Sequence, residues 1–480
     1  MEFIRQFNIS VTDVLAAAAV LLDIYAISLA IYRGHGVERT LAWIFAIIAL
    51  PVAGALTYLL LATPSIKRTT RRKKLSAKAV RGLLCGKDEL PDASDRVVVR
   101  SMLRLAARLT DLTPSAGNRV TFLSENIEAF EHMREAVLNA KESVWTEYYI
   151  IRNDDTGSRF LELLKQKAEE GVEVRLLYDA VGSIGIDGKR LKAIRKAGGR
   201  VESFLPLNPL RRRWSVHLRN HRKMIIVDGS TGFTGGMNVG DEYSGRARWK
   251  GGQTFHDTHL QIEGPAVHDL AVIFEEDWAF ATDEHLSPPT RPKPLDGETS
   301  VVAAVPSGPD QEVNANAMVY FTGIASAREK VWLTSPYFIP DETVVRALVS
   351  AAMRGVDVRV LVPEKSDVIM MGPAGRSYFT ELLKGGVKVY QYTPSMLHAK
   401  TIVVDGSWGI VGSANVDIRS FRLNFEMGAM VVDPEFAALL EERFETDLES
   451  SHCVTLKEMM AYHWHKRLLY GIIRLFSPVL

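Results

Sequence analysis

The segment "HRKMIIVDG" at residues 221–229 returns as "HAKTIVVDG" at residues 398–406. Each copy sets a histidine and a lysine two apart, runs through four mainly apolar residues and stops at Asp-Gly. Carried further, one copy reads His221, Lys223, Asp228, Gly235, Gly236, Asn238 and the other His398, Lys400, Asp405, Gly412, Ser413, Asn415, with the same spacing throughout. On a strand, positions i and i+2 point to one face, so each His and Lys project together. The apolar run anchors the strand in a core, and Asp-Gly turns the chain back to bring the Asn alongside. A buried strand has no use for a histidine and a lysine at its head, so each copy marks a site. Whatever the first copy builds, the second must build again.

The surrounding chain obeys that constraint. The first copy follows "KESVWTEYYII" (141–151), a helical "SRFLELLKQKAEE", "GVEVRLLYD" (171–179) and "KAGGRVESF" (196–204). The second follows "REKVWLTSPYFIP" (328–340), a helical "ETVVRALVSAAMR", "GVDVRVLVP" (355–363) and "LKGGVKVYQY" (383–392). Strands alternate with helices in one order and with matching words, which predicts an α/β protein of two duplicated α/β sandwich halves. The expected divisions are 118–286 and 301–455 for the halves, with the Pro-, Gly- and charge-rich stretch 287–300 as linker. A helical, charged juxtamembrane linker fills 65–117, and an amphipathic segment closes the chain at 456–480.

Residues 1–64 are apolar and predict a two-helix transmembrane hairpin. "LAWIFAIIALPVAGALTYLLLA" (41–62) carries no charge over 22 residues, long enough to cross a bilayer. "VLAAAAVLLDIYAISLAI" (14–31) has a single charge, Asp23, which in lipid needs a partner. No cationic run precedes it and a second span follows, which argues against a cleaved signal peptide. Lys67, Arg68, Arg71, Arg72, Lys73 and Lys74 follow the second span, whereas the connecting loop holds only Arg33 and Arg39 with Glu38. The positive-inside rule then places both ends of the hairpin and the body behind it in the cytoplasm. A net charge of +1 excludes the global basicity of a nucleic-acid binder. The two cysteines, Cys85 and Cys453, form no framework and read as free thiols.

The doubled H-x-K…D…G-[GS]-x-N pattern resembles the phospholipase D superfamily over about residues 118–450. With the apolar N-terminus, "LPVAG", "RNHRK" (219–223) and the closing "RLFSPVL", the chain resembles the bacterial cardiolipin synthases within it. The resemblance implies halves related by a pseudo-twofold axis with one site between them. His221 would be the nucleophile and His398 the general acid and base. Lys223, Lys400, Asn238, Asn415 and Ser413 would hold the phosphate, and Asp228 and Asp405 would support the catalytic group structurally. It also implies phosphatidylglycerol as donor and acceptor, giving cardiolipin and glycerol at the bacterial cytoplasmic (inner) membrane.

The residues suit that chemistry on their own terms. A phosphodiester needs a nucleophile, a proton for the leaving alkoxide and donors around oxygens that gain charge. Two histidines in opposite protonation states fill the first two roles if their surroundings split their pKa values. No H-E-x-x-H and no clustered carboxylates occur, so neither a metal nor another cofactor is expected. Aligning "FHDTHLQIEG" with "NFEMGAMVVD" pairs Asp257 with Glu426. These carboxylates either orient His221 and His398 or are plain polar strand residues. His217, His256 and His259 read as surface or supporting groups.

One asymmetry remains. Gly199 to His221 spans 22 residues, Gly386 to His398 only 12, and the extra ten fall in "NPLRRRWSVHLR". Arg211, Arg212, Arg213, Trp214 and Arg219 there are candidates for anionic lipid headgroups. The C-terminal "HKRLLYGIIRLFSPVL" suits either an interfacial helix or one packed on the core. Membrane lipids are therefore the expected partners and nucleic acid is not; a homo-oligomer is left open. Hydrolysis to phosphatidic acid, transfer to another alcohol, and a superfamily nuclease are the rival activities, with a non-enzymatic scaffold behind them.

Overall fold

A computed structural model describes residues 10–33, 37–61, 65–84, 90–91, 97–206, 218–245 and 254–475. Arg211, Arg212, Arg213, Trp214, His217 and Cys85 lie outside the described residues. Residues 1–70 and 71–480 form two compact units.

The duplication is visible strand by strand. The first half holds β1 (Ser115–Leu123), β2 (Ser143–Tyr148), β3 (Glu173–Tyr178), β4 (Arg200–Ser203), β5 (Arg219–Asn220), β6 (Met224–Val227), β7 (Thr231–Gly235), β8 (Phe255–His256) and β9 (His259–Glu263). The second holds β10 (Ser300–Ser307), β11 (Lys330–Thr334), β12 (Asp357–Pro363), β13 (Lys388–Tyr392), β14 (Met396–Leu397), β15 (Thr401–Val404), β16 (Trp408–Gly412), β17 (Asn424–Val432) and β18 (Ser451–Val454). Outward from the centre the first half runs β1-β9-β7-β6-β2-β3-β4 and the second β10-β17-β16-β15-β11-β12-β13, the same order. β1 and β10 pair antiparallel at the seam, so one mixed sheet crosses the body. β2-β3-β4 and β11-β12-β13 are parallel, and their apolar residues are buried while charged residues such as Arg200 and Lys388 stay exposed.

Two short pairings matter more for function than their length suggests. β5, which leads into His221, runs parallel to the start of β17; β14, which leads into His398, runs parallel to β8. Each half therefore leads into its histidine along a short strand paired with a strand of the other half. The His221 N–H donates to Phe425 O at 2.8 Å, and the His398 N–H to His256 O at 2.6 Å.

In the N-terminal unit the expected hairpin is only partly realised. Val11–Arg33 is, among the described residues, the one helix long and apolar enough to cross a membrane. The second apolar stretch is two short helices, Val37–Ala49 and Ala53–Leu61, rather than one span. Proline cannot continue the hydrogen-bond ladder, and the chain bends at Pro51–Val52, where Val52 takes φ 65°. Asp23 answers the break: its carboxylate accepts the freed Val52 N–H at 2.9 Å. Ala26, Ala30, Ile47, Ala55 and Tyr58 close this small core.

Of the stretch expected as a linker, 65–117, the described residues from Arg71 onward belong to the body instead. Val99, Met102, Leu103 and Ala106 of the helix Val97–Thr110 are buried with Val301, Ala303 and Val305 of β10. On the helix Ser65–Leu84, the buried Lys73 ammonium lies 2.6 Å from Asp277, and Arg81 binds Glu276. At the other end of the chain, the helix Trp464–Leu475 buries Tyr470 and Ile473 while Trp464, Leu468, Leu469 and Leu475 stay exposed. It meets both expectations in part, with one edge packed on the body and one open.

Candidate active site

The cavity between the halves, about 280 Å³, opens at the carboxyl ends of the parallel strands. Tyr149 and Ile150 line it just past β2, Tyr337 past β11, and Asp367 and Val368 past β12. His221 and His398 both face it, each at the head of a strand antiparallel to its neighbour.

Each imidazole is held by a carboxylate from the opposite half. His221 Nδ1 lies 2.9 Å from Glu426 Oε2 and 3.1 Å from the Ser413 carbonyl. Both are acceptors, so Nδ1 carries the proton and Nε2 keeps its lone pair. His398 Nδ1 lies 2.6 Å from Asp257 Oδ2. Glu426 is further held by the Ser413 hydroxyl at 2.5 Å and the Asn424 amide at 3.1 Å, and Asp257 accepts the Thr258 N–H at 2.8 Å. The aligned carboxylates thus meet the histidines crosswise, a pairing that alignment within each copy does not reveal.

Electrostatics follow from burial. Burial pushes the His221 imidazole down to about 4 although Glu426 pulls the other way, and burial with Lys400 pushes His398 down as well. The protein alone therefore keeps both imidazoles neutral and does not supply the opposite protonation states expected of them. Asp257 and Glu426 stay below the usual carboxylate range: burial raises both, but Lys400 and His398 outweigh it for Asp257, and His221 and Lys223 for Glu426. Burial lowers Lys223 to about 7 and lowers Lys400 too.

Several expected roles move. Lys223 and Lys400 are fully buried beneath the cavity and do not line it: Lys223 Nζ donates to the His221 carbonyl at 2.6 Å, and Lys400 Nζ lies 2.6 Å from His398 Nδ1 and 3.5 Å from Asp257. Their charge acts from below. Asn238 and Asn415 do line the cavity; Asn238 donates to the Tyr243 hydroxyl at 2.9 Å, and the buried Asn415 Oδ1 has no hydrogen-bond partner among the described residues. Ser413, expected at the phosphate, does not line the cavity; its hydroxyl donates to Glu426. Asp228 and Asp405, grouped with the catalytic residues by the motif, lie at the far ends of β6 and β15. Each accepts backbone N–H groups from Lys141–Ser143 or Arg328–Lys330 at 2.8–3.2 Å, which fixes the strand ends and touches no reacting atom. His256 and His259 are buried rather than at the surface; His256 is anchored 3.1 Å from Asp447. Arg219 reaches the cavity wall, together with Arg152 and Arg419, which the sequence reading missed. Tyr149, its ring 4.7 Å from His221, was missed as well.

Comparison with known proteins bears on this geometry. The family model described as "Cardiolipin synthase, PLD-like domain" matches residues 133–278 and 320–448, one stretch in each half. The chain belongs to that family. A phospholipase D-nuclease N-terminal model matches residues 21–62. The cardiolipin synthase of Halalkalibacterium halodurans is 37% identical over 92% of this chain and 89% of its own length. Cardiolipin synthase A of Pseudomonas aeruginosa is 35% identical over 92% of this chain and 91% of its own. Among solved structures, the phosphatidylserine synthase of Haemophilus influenzae superposes with a TM-score of 0.62 at 16% identity, covering 79% of this chain and all of that one. The likeness extends the phospholipase D-type fold across both halves.

Proposed function

We propose that this chain is a membrane-bound phosphatidyltransferase that joins two phosphatidylglycerol molecules into cardiolipin and releases glycerol. The observation that carries the mechanism is the crossed pairing: two neutral histidines, each on a carboxylate from the opposite half, face one cavity. His221 Nε2 attacks the phosphorus of the donor, and its P–O bond to the headgroup glycerol breaks. His398 gives a proton to that glycerol oxygen. Its own proton is acquired as the anionic phosphodiester enters, since a negative charge beside the imidazole favours the charged form. The headgroup hydroxyl of the second phosphatidylglycerol then passes its proton to His398 and displaces His221, forming the new P–O bond. One phosphodiester replaces another, so no nucleotide enters the balance. Lys223 and Lys400 raise the potential under the phosphate, Asn238 and Asn415 offer amide donors at its edge, and Arg211, Arg212, Arg213, Trp214 and Arg219 engage anionic headgroups.

The relatives' names and the apolar Val11–Arg33 helix support a membrane protein, and the basic run after residue 66 supports a cytoplasmic body behind a multi-pass N-terminus. Purified full-length protein given phosphatidylglycerol vesicles should yield cardiolipin and glycerol in equal amounts by mass spectrometry. Phosphatidic acid as the main product would replace transfer with hydrolysis on the same residues.

A further inference from the structure

The two loops that follow β3 and β12 are related by the duplication, and each carries an isoleucine out into solvent: Ile184 is 65% exposed and Ile369 88%. Val368 and Met370 beside Ile369 are also exposed. Both loops belong to the cavity's mouth. Asp367, Val368 and Met371 line the cavity directly. The other loop is tied to its wall, because Ser183 Oγ donates to Tyr149 O at 3.1 Å and accepts the Ile151 N–H at 3.0 Å. A soluble enzyme gains nothing by placing apolar side chains at the lip of a polar cavity. Behind the lip the wall is charged and polar: Arg152, Arg219 and Arg419 stand there with Asp367 and Asp417, and Arg152 is held 2.9 Å from Glu242. The order from outside inward, apolar then polar with arginines, is that of a phospholipid standing in its leaflet, with acyl chains out and phosphate in.

We infer that Ile184 and the Val368–Met370 turn are twin insertion loops that dip into the bilayer on either side of the cavity. They seat its mouth on the membrane, so that donor and acceptor lipids enter headgroup first with their chains still in the leaflet. The inference rests on the lipid substrate proposed above and adds the face on which the body docks. Met353 marks the opposite end: it is 73% exposed at the end of the helix Glu342–Met353, just before β12 begins.

The test uses the full chain reconstituted in phosphatidylglycerol vesicles, with Cys85 and Cys453 changed to Ser. A nitrobenzoxadiazole probe is placed by Ile184→Cys, Ile369→Cys or Met353→Cys. The first two probes should shift to the blue and be quenched by brominated acyl chains, and the third should do neither. This readout needs no turnover, so it separates the docking face from the reaction. In a second arm, Ile184→Asp with Ile369→Asp should lower turnover of vesicle phosphatidylglycerol at least about tenfold, since a carboxylate is strongly disfavoured in lipid. Turnover of monomeric dihexanoyl phosphatidylglycerol should stay unchanged. Water-like emission from both loop probes overturns the inference. So does equal loss on both substrates, which would make the loops part of the site itself.

Discussion

Glu426 and Asp257 hold the two histidines with side chains of different length, and the difference is absorbed one residue along each motif. Ser413 braces the longer Glu426 with its hydroxyl, whereas a Cβ added at the equivalent Gly236 would lie 2.0 Å from Asp257 Oδ1. Gly236→Ala should therefore displace Asp257, tilt His398 and lower turnover by about 10²-fold, the scale of a 1 Å misplacement at a reacting centre. Ser413→Ala should cost up to the same order, since it loses one charge-assisted hydrogen bond of about 1.5–3 kcal/mol. Comparable rates for Gly236→Ala and wild type would remove Asp257 from its proposed role. The buried imidazoles add a pH dependence. His221 and His259 are both held at about 4 by burial, below their ordinary 6.5. Between those values the unfolded chain binds a proton that the native one refuses, so stability falls as pH drops from about 6.5 to about 4, by up to about 1.4 kcal/mol per pH unit for each histidine. Above 6.5 neither contributes. His259→Asn should flatten this slope in denaturant titrations of the micellar protein, and an unchanged slope would count against it. The H-x-K spacing made His221 and His398 legible in the sequence because period-two geometry is local. The exchange of carboxylates was not, since alignment tells which residues are equivalent and never which ones touch.

At the scale of elements, Lys73 and Lys74 are neighbours with opposite fates. Lys74 meets Glu312 at the surface, both largely exposed. Lys73 is fully buried, 2.6 Å from Asp277, whose other oxygen lies 2.5 Å from Arg222 Nη1. Arg222 is the middle residue of the H-x-K triplet, and its Nε donates to the Glu426 carbonyl at 3.1 Å. The helix Ser65–Leu84 therefore balances charge directly behind the catalytic strand. Removing one partner of a buried pair costs about 3–5 kcal/mol, while an exposed pair is worth about 0–1. Lys73→Met should lower the thermal midpoint in detergent markedly and Lys74→Met hardly at all; equal shifts would show that Asp277 finds its compensation elsewhere. In the sequence the six basic residues 67–74 formed one run, explained in full by membrane orientation. Nothing local distinguishes the residue that turns inward, because its partner lies some two hundred residues away on the helix Ala266–Thr282. The alternating strands and helices were legible for the opposite reason: each signals its own period, and the duplication repeats the signal. The uncharged run 41–62 gave no sign of the break at Pro51, where Asp23 accepts the Val52 N–H.

For the whole molecule, the question is where the membrane-facing part ends and the body begins. Helix content and charge suggested a boundary near residue 64, with a linker behind it. The contacts divide differently, because the helices Ser65–Leu84 and Val97–Thr110 contribute Lys73, Arg81, Met102 and Leu103 to the interior of the body. Removing residues 1–64 should therefore leave a folded protein, since the shared sheet and both cores remain whole. Its turnover should fall on vesicles, where an anchor keeps enzyme and lipid together, and recover in mixed micelles, where substrate diffuses to the enzyme. Removing residues 1–84 cuts only one helix more, yet it strips Lys73 and Arg81 from Glu276 and leaves the buried Asp277 with Arg222 as its only cation among the described residues. That product should aggregate or unfold well below the midpoint of the shorter deletion, and micelles should not rescue it. Circular dichroism melts of the two truncated proteins, run beside micelle assays, give the comparison. If both melt together and both turn over substrate in micelles, the juxtamembrane helix is a passive connector and the charge network behind Arg222 is sustained by the body alone.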